Sequence, residues 1–230
     1  MADAAVKRTS GRGRFISFEG GEGSGKSTQI RRLAERLAAA RLHAIVTREP
    51  GGSPGAEIIR HLVLSGMGKL LGADAETLLF AAARDDHVRT IIEPALKQGV
   101  WVLCDRFFDS TRVYQGMLGK VAPGVLNAMQ RVTIGNLKPD LTLILDVPVE
   151  VGLKRAAARR GAAAADRFEA EDIRFHRRLR EAYREIAAAE PQRCVLIDST
   201  GEPNTVAAGI WSVVRDRLLV ADVDNLASSA

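Results

Sequence analysis

With 230 residues, 46% of them hydrophobic and 27% charged, the chain is long enough to bury one large core and has the composition of a single globular domain. No stretch reaches the run of about 18 apolar residues that a membrane-spanning helix requires, and the opening Met1-Ala2-Asp3-Ala4-Ala5-Val6-Lys7-Arg8 lacks the apolar stretch of a secretory signal. The net charge of +5 is dispersed along the chain and aromatics make up only 5%, so small anionic ligands fit it better than a nucleic-acid stacking surface.

The first apolar segment, residues 14–19, alternates through Phe15, Ile16, Ser17 and Phe18 as a strand does, and runs directly into Gly20-Gly21-Glu22-Gly23-Ser24-Gly25-Lys26-Ser27. Those eight residues match G-x-x-x-x-G-K-[ST]. Residues 28–40 then carry Ile30, Leu33, Ala34 and Leu37 along one helix face, which puts the motif on the strand-to-helix turn it needs. Glycines let successive N–H groups curl toward a phosphate, and the helix N-terminus adds the positive end of its dipole. Lys26 is expected to reach the β- and γ-oxygens, and Ser27 to offer its hydroxyl to Mg²⁺. The expected triphosphate-binding residues are Gly20, Gly21, Glu22, Gly23, Ser24, Gly25, Lys26, Ser27 and Thr28.

Further strands are predicted at residues 43–47, 100–105, 141–146 and 194–198, separated by helical patterns at 54–64, 74–97, 124–135, 150–159 and 171–189. This alternation predicts an α/β fold, a five-stranded parallel sheet doubly wound by helices, with ligands gathered at the carboxyl ends of the strands. Charged residues stand there: Glu19, Arg48, Asp105 with Arg106, Asp146 and Asp198. Asp105 reads as a holder of a metal, directly or through water, or as a helix cap. Arg106 suits a bidentate grip on phosphate. Phe80 and Arg84 share a helix face one turn apart, and Phe80 is open to two readings, base stacking or core.

Arg155, Arg159, Arg160 and Arg167 surround Gly161-Ala162-Ala163-Ala164-Ala165, so a small lid over the phosphates is expected at about 155–170, with a solvated basic helix end as the alternative. Residues 1–13 and 222–230 lack periodicity and are expected to fray around a single domain at 14–221. Cys104 and Cys194 lie in apolar runs and read as reduced core thiols, which points to the cytoplasm. A GTPase-like switch is disfavoured: Asn136-Leu137-Lys138-Pro139-Asp140 departs from N-K-x-D, and the one D-x-x-G, Asp198-Ser199-Thr200-Gly201, follows the last strand.

Beyond the phosphate loop, four segments occur together: Thr47-Arg48-Glu49-Pro50-Gly51-Gly52; Leu79-Phe80-Ala81-Ala82-Ala83-Arg84; Asp105-Arg106 with Ser110-Thr111 and Tyr114-Gln115-Gly116; and Asp166-Arg167 in an arginine-rich stretch. In this order and spacing the chain resembles the thymidylate kinase family, in its bacterial-type form with an arginine-bearing lid. The resemblance implies a P-loop kinase fold, ATP-dependent phosphorylation of dTMP to dTDP with Mg²⁺, and a homodimer. It implies catalytic roles for Lys26, Asp105, Arg106, Arg159 and Arg167, with Arg155 a further choice within the lid. For the acceptor it implies Glu22 near the 3′-hydroxyl, Arg48 on the phosphate, Phe80 stacked on the base and Arg84 donating to a base carbonyl. Ser110, Thr111 and Gln115 would complete the acceptor site, Tyr114 would crowd the sugar's 2′ position, and Glu49-Pro50 would be a cis bond. Another nucleoside-monophosphate kinase of the same fold is the nearest rival. Leu78, Leu79, Ala82, Val88, Ile91 and Ile92 lie on more than one face of the predicted helix 74–97, a pattern that a two-fold dimer would cover.

Overall fold

A computed structural model describes residues 11–161 and 168–219. Five strands, β1 (Phe15–Glu19), β2 (Ala44–Arg48), β3 (Trp101–Asp105), β4 (Leu141–Asp146) and β5 (Cys194–Asp198), form one parallel sheet in the order β2-β3-β1-β4-β5. The chain moves to one side of β1 for β2 and β3 and to the other for β4 and β5. The loop after β1 therefore opens at the topological switch point, where an open α/β sheet offers a ligand crevice.

The alternation in β1 separates two inner faces rather than core from solvent, because helices cover both sides of a parallel sheet. Ile16, Phe18, Leu103, Leu141 and Leu143 pack on one face against α1 (Lys26–Ala39) and the later helix Pro203–Val214. On the other face, Phe15, Val102 and Cys104 meet Val88, Ile92 and Leu96, while Ile144 meets Leu179 and Tyr183. Ser17 belongs to this second face, fully buried, its hydroxyl 2.8 Å from that of Thr142. By the period of two, Glu19 also points there.

After β2 come α2 (Pro54–Leu64), a 3₁₀ turn (Met67–Leu71) and α3 (Ala73–His87); a π turn at Val88–Ile92 joins α3 to α4 (Glu93–Lys97). The helix expected over 74–97 is thus interrupted ahead of Pro94, whose ring and missing N–H disturb the turn before it. After β3, α5 (Phe108–Thr111) continues through a π segment at Arg112–Leu118, and α6 (Pro123–Thr133) leads to β4. Next are α7 (Val149–Arg160) and α8 (Ile173–Ala189), whose N-cap Asp172 accepts a hydrogen bond from the Phe175 N–H at 2.8 Å. After β5, α9 (Pro203–Val214) runs on through a π turn at Arg215–Leu219.

The helices at 108–118 and 203–219 are absent from the sequence reading. The expected fraying ends, apart from residues 11–13, lie outside the described residues, as does the lid's centre at 162–167; Gly13 already donates its N–H to the Leu96 carbonyl at 2.8 Å. Cys104 and Cys194 are buried free thiols, and burial pushes both up, Cys194 to about 12. No helix among the described residues is long and apolar enough to cross a membrane.

Candidate active site

The phosphate loop leaves β1 at Gly20 and enters α1 at Lys26. Its backbone is glycine-dependent at Gly23, which has φ 65°, and where an added Cβ would lie 1.9 Å from the Gly152 carbonyl oxygen. Gly152 in turn faces the Glu22 carbonyl, so α7 and the loop pack backbone to backbone. Lys26, 8% exposed, donates through Nζ to the carbonyls of Gly20 (3.1 Å) and Gly21 (3.0 Å). Burial, then Arg106, lowers its pKa, against the pull of Glu22, Asp105 and Glu19. The Ser24 hydroxyl is buried and has no hydrogen-bond partner among the described residues.

Ser27 Oγ donates to Asp105 Oδ2 at 3.0 Å, which joins the start of α1 to the end of β3. Arg106 follows with φ 67°, a left-handed conformation that costs a non-glycine residue of order 1–3 kcal/mol and persists only where its surroundings over-determine it. Its N–H donates to the Phe18 carbonyl at 2.9 Å, Nη2 to Glu22 Oε1 at 2.6 Å, and Nη1 to the hydroxyls of Tyr183 (3.2 Å) and Ser110 (3.4 Å). The guanidinium also lies 5.2 Å from the Tyr114 ring centre. Burial pushes Glu22 up, but Arg106, Lys26 and Arg159 outweigh it and hold the carboxyl below its ordinary range.

One cavity of about 310 Å³ unites these groups with most of the residues expected to hold the acceptor. The phosphate loop from Glu22 to Ser27, Asp105 and Arg106 form its floor; Arg48, Phe80, Arg84, Ser110, Thr111, Tyr114, Gln115 and Arg159 form its walls. Phe80 is 8% exposed, so it is a core residue that also forms part of the cavity wall. Arg84 is fixed through Nε to Glu49 Oε2 (2.7 Å) and through Nη2 to Thr111 Oγ1 (2.9 Å). Glu49, in a cis bond with Pro50, also meets His87 Nδ1 at 3.1 Å, and His87 Nε2 lies 2.6 Å from Thr47 Oγ1. Arg48 is half-exposed and pairs with Glu57 at 2.9 Å. Glu49 and Pro50 also line it, and Arg60, Leu64, Phe107 and Phe168, which were not anticipated, complete the lining. Only the segment around Arg48 hinted at a second basic wall, since Arg60 donates to the Pro50 carbonyl at 2.6 Å.

Several expectations need correction. Arg155 does not face the cavity: it donates to the carbonyls of Ser199 (2.8 Å) and Thr200 (3.0 Å) and so secures the loop after β5. Arg160 pairs with Glu169 at 3.0 Å. Arg159, the last but one residue of α7, lines the cavity and is not tied by hydrogen bond or ion pair to any described residue. Arg167 and Asp166 lie outside the described residues. Among the strand ends, Asp146 is taken up by Arg180 (2.6 and 2.8 Å) and Arg184 (3.0 Å), and Asp198 accepts from the N–H and hydroxyl of Thr200, so neither reaches the cavity. Asp140 sits at the opposite end of the sheet, accepting from the Phe15 N–H at 2.6 Å, which removes the base-reading role of a GTPase.

Glu19, missed as a functional residue, is fully buried beneath Arg106 and accepts from Phe107 N–H (2.8 Å), Ser110 Oγ (2.7 Å) and Tyr183 OH (2.9 Å). Burial first, then Asp109, raises its pKa from 4.5 to about 7. The folded carboxyl holds its proton more tightly than the unfolded one, so its contribution to stability is complete below 4.5 and is lost as pH rises to about 7. Across that window the melting temperature of Glu19→Gln is expected to rise relative to wild type; parallel melting curves from pH 4.5 to 8 would show that Glu19 does not titrate there.

Comparison with known proteins gives the family. The thymidylate kinase family profile matches residues 18–210. The thymidylate kinase of Nitrobacter winogradskyi is 76% identical over 230 residues, all of both chains, and that of Bradyrhizobium diazoefficiens is 75% identical over 95% of this chain and 96% of its own. The crystal structure of thymidylate kinase from Ehrlichia chaffeensis superposes with a TM-score of 0.70 at 32% identity, covering 89% of this chain and 99% of that one. The chain belongs to the thymidylate kinase family, phosphotransferases on the P-loop kinase fold, and its reaction is ATP-dependent phosphorylation of dTMP.

Proposed function

We propose that dTMP and the triphosphate of ATP meet in the single cavity between the phosphate loop and α3, and that an oxygen of the dTMP phosphate attacks the γ-phosphorus. The bond from the γ-phosphorus to the bridging oxygen breaks, ADP leaves, and dTDP is formed. The observation that carries this reading is that donor and acceptor groups share one cavity, Lys26 and Ser27 on one side and Phe80, Arg84 and Gln115 on the other. The acceptor oxygen is already anionic at neutral pH, so the residues position the reactants and neutralise charge rather than remove a proton. Arg106 and Arg48 grip the acceptor phosphate, Phe80 stacks on the base, Arg84 donates to a base carbonyl with Thr111 and Gln115 beside it, and Tyr114 crowds the 2′ position. Glu22 is assigned to the 3′-hydroxyl.

Ser27 and Asp105 would hold Mg²⁺. Two hard oxygen ligands 3.0 Å apart beside the phosphate loop suit an ion that keeps several waters and binds substrate phosphates through few protein groups. When bound, it neutralises charge on the β- and γ-phosphate oxygens. With ATP and Mg²⁺, the purified protein is expected to use dTMP in preference to dUMP, dCMP, AMP and GMP in a coupled ADP-release assay; preference for AMP or GMP would overturn the assignment of the acceptor site.

The chain is further proposed to act as a homodimer in the cytoplasm. Val88 and Ile92 are core residues and drop out of the expected dimer face, but Leu78 is 56% exposed on α3 and Ala82, one turn on, is exposed too. Met67, Leu70 and Leu71, just before α3 in the chain, are exposed apolar residues as well, and apolar surface of this kind marks a protein contact. Light scattering of the active enzyme is expected to return twice 24.8 kDa; the monomer mass would exclude the dimer.

A further inference from the structure

Arg106 cannot hold its position by itself. Its backbone is in the left-handed region, and its guanidinium reaches Glu22 on one side and two hydroxyls, from Ser110 and Tyr183, on the other. Both hydroxyls donate to the same oxygen, Oε2 of Glu19. A hydroxyl has one hydrogen to give. The two hydroxyls also lie 2.9 Å apart, but a carboxylate is the stronger acceptor; with each hydrogen spent on Glu19, each hydroxyl is left to face Arg106 with a lone pair. Glu19 Oε1, through the Phe107 N–H, fixes the backbone next to Arg106 as well. Neither Glu19, 0% exposed, nor Tyr183, 1% exposed, lines the cavity. They lie behind it, one at the end of β1 and the other on α8, 164 residues apart in sequence.

We propose that Glu19 and Tyr183 are positioning residues for phosphoryl transfer: the Glu19 carboxylate orients the Ser110 and Tyr183 hydroxyls, and these aim the Arg106 guanidinium at the acceptor phosphate. The inference rests on the assignment of Arg106 to that phosphate. It also explains a buried acid directly ahead of the phosphate loop, where an apolar residue would be cheaper to bury. An amide at position 19 would reverse the pattern. Its NH₂ group would donate to the two hydroxyls and turn their hydrogens toward the guanidinium, so that donor faces donor.

The test is steady-state kinetics at pH 8 on the full-length chain, with ATP and dTMP varied separately and melting curves as the control for folding. Tyr183→Phe, which removes only the hydroxyl, and Glu19→Gln are each expected to raise KM for dTMP by about tenfold, the scale of a lost charge-assisted hydrogen bond, and to leave KM for ATP within about twofold. In an Arg106→Gln background, Tyr183→Phe is expected to add less than about twofold, because residues that act through one group are not additive. Full additivity in that cycle, or an unchanged KM for dTMP in both single variants, would overturn the inference. If Tyr183→Phe does not fold, Glu19→Gln carries the same cycle. Failure of the underlying assignment looks different: Arg106→Gln alone would then leave KM for dTMP unchanged.

Discussion

Lys26→Ala is expected to lower kcat by about 10² or more while the fold persists, because in the proposed reaction its ammonium faces oxygens whose negative charge increases as the phosphoryl group moves. Its Nζ is buried and bonded to two loop carbonyls, Gly20 and Gly21, which hold it at the mouth of α1 beside Ser27 and Asp105. Such a cation differs from a surface lysine, since its environment excludes the water that would screen it. Alanine also leaves a void and removes a countercharge from Glu22 and Glu19, so the companion variant Lys26→Met, close in volume and uncharged, separates charge from packing. A loss of similar size in both, with melting temperatures near wild type, assigns the effect to the ammonium. Near-normal turnover in folded Lys26→Met would show that another cation neutralises those oxygens.

The parts of this site that could be read from sequence are those whose geometry is local. In the phosphate loop, spacing within eight residues fixes a strand, a turn that only glycines fit and a helix N-terminus. The strand-end residues Asp105 and Arg106 followed from the alternation of elements, which places carboxyl ends at the ligand crevice. What escaped depends on distant partners. Glu49 with Arg84 and His87 spans 35 and 38 residues, and Glu19 with Tyr183 spans 164. From sequence each of these acids is only a charge at a strand end, like Asp146, which turns out to be occupied by two arginines of α8.

The missed helix at 108–118 has a different cause. Asp109, Ser110, Thr111, Val113 and Gly116 are weak helix formers, so propensity argues against a helix there. It forms because Asp109, Thr111, Val113 and Gln115 are buried, with Asp109 held by Arg193 at 2.6 and 3.0 Å. Tertiary contacts override local preference, and they do so in the segment that supplies Ser110, Thr111, Tyr114 and Gln115 to the cavity.

Arg159→Ala is expected to lower kcat and kcat/KM together by about 10³, the scale of arginines that meet the transferring phosphoryl group in other P-loop enzymes, while KM for dTMP stays nearly constant. Among Arg155, Arg159 and Arg160 the structure distinguishes one, while Arg167 lies outside the described residues. Arg155 is spent on two carbonyls of the loop after β5 and Arg160 on Glu169, whereas Arg159 faces the cavity from the end of α7, untied to any described residue. Its charge is felt at Glu22 inside the phosphate loop. No basic residue occupies the variable loop positions Gly21, Glu22 and Ser24, so the loop itself supplies no arginine to the transition state. An arginine with no hydrogen-bond or ion-pair partner among the described residues loses little to them on closing over the phosphates and gains most when charge spreads over the equatorial oxygens, which is why the effect belongs in kcat. Arg155→Ala, by contrast, should act through the loop it secures and lower stability more than kcat. Single-turnover rates separate these outcomes from product release. A kcat for Arg159→Ala within about threefold of wild type, less than the 1.36 kcal/mol that a tenfold change requires, would mean that Arg159 is a solvated helix end, leaving the phosphoryl group to Lys26, Arg106 and Arg167.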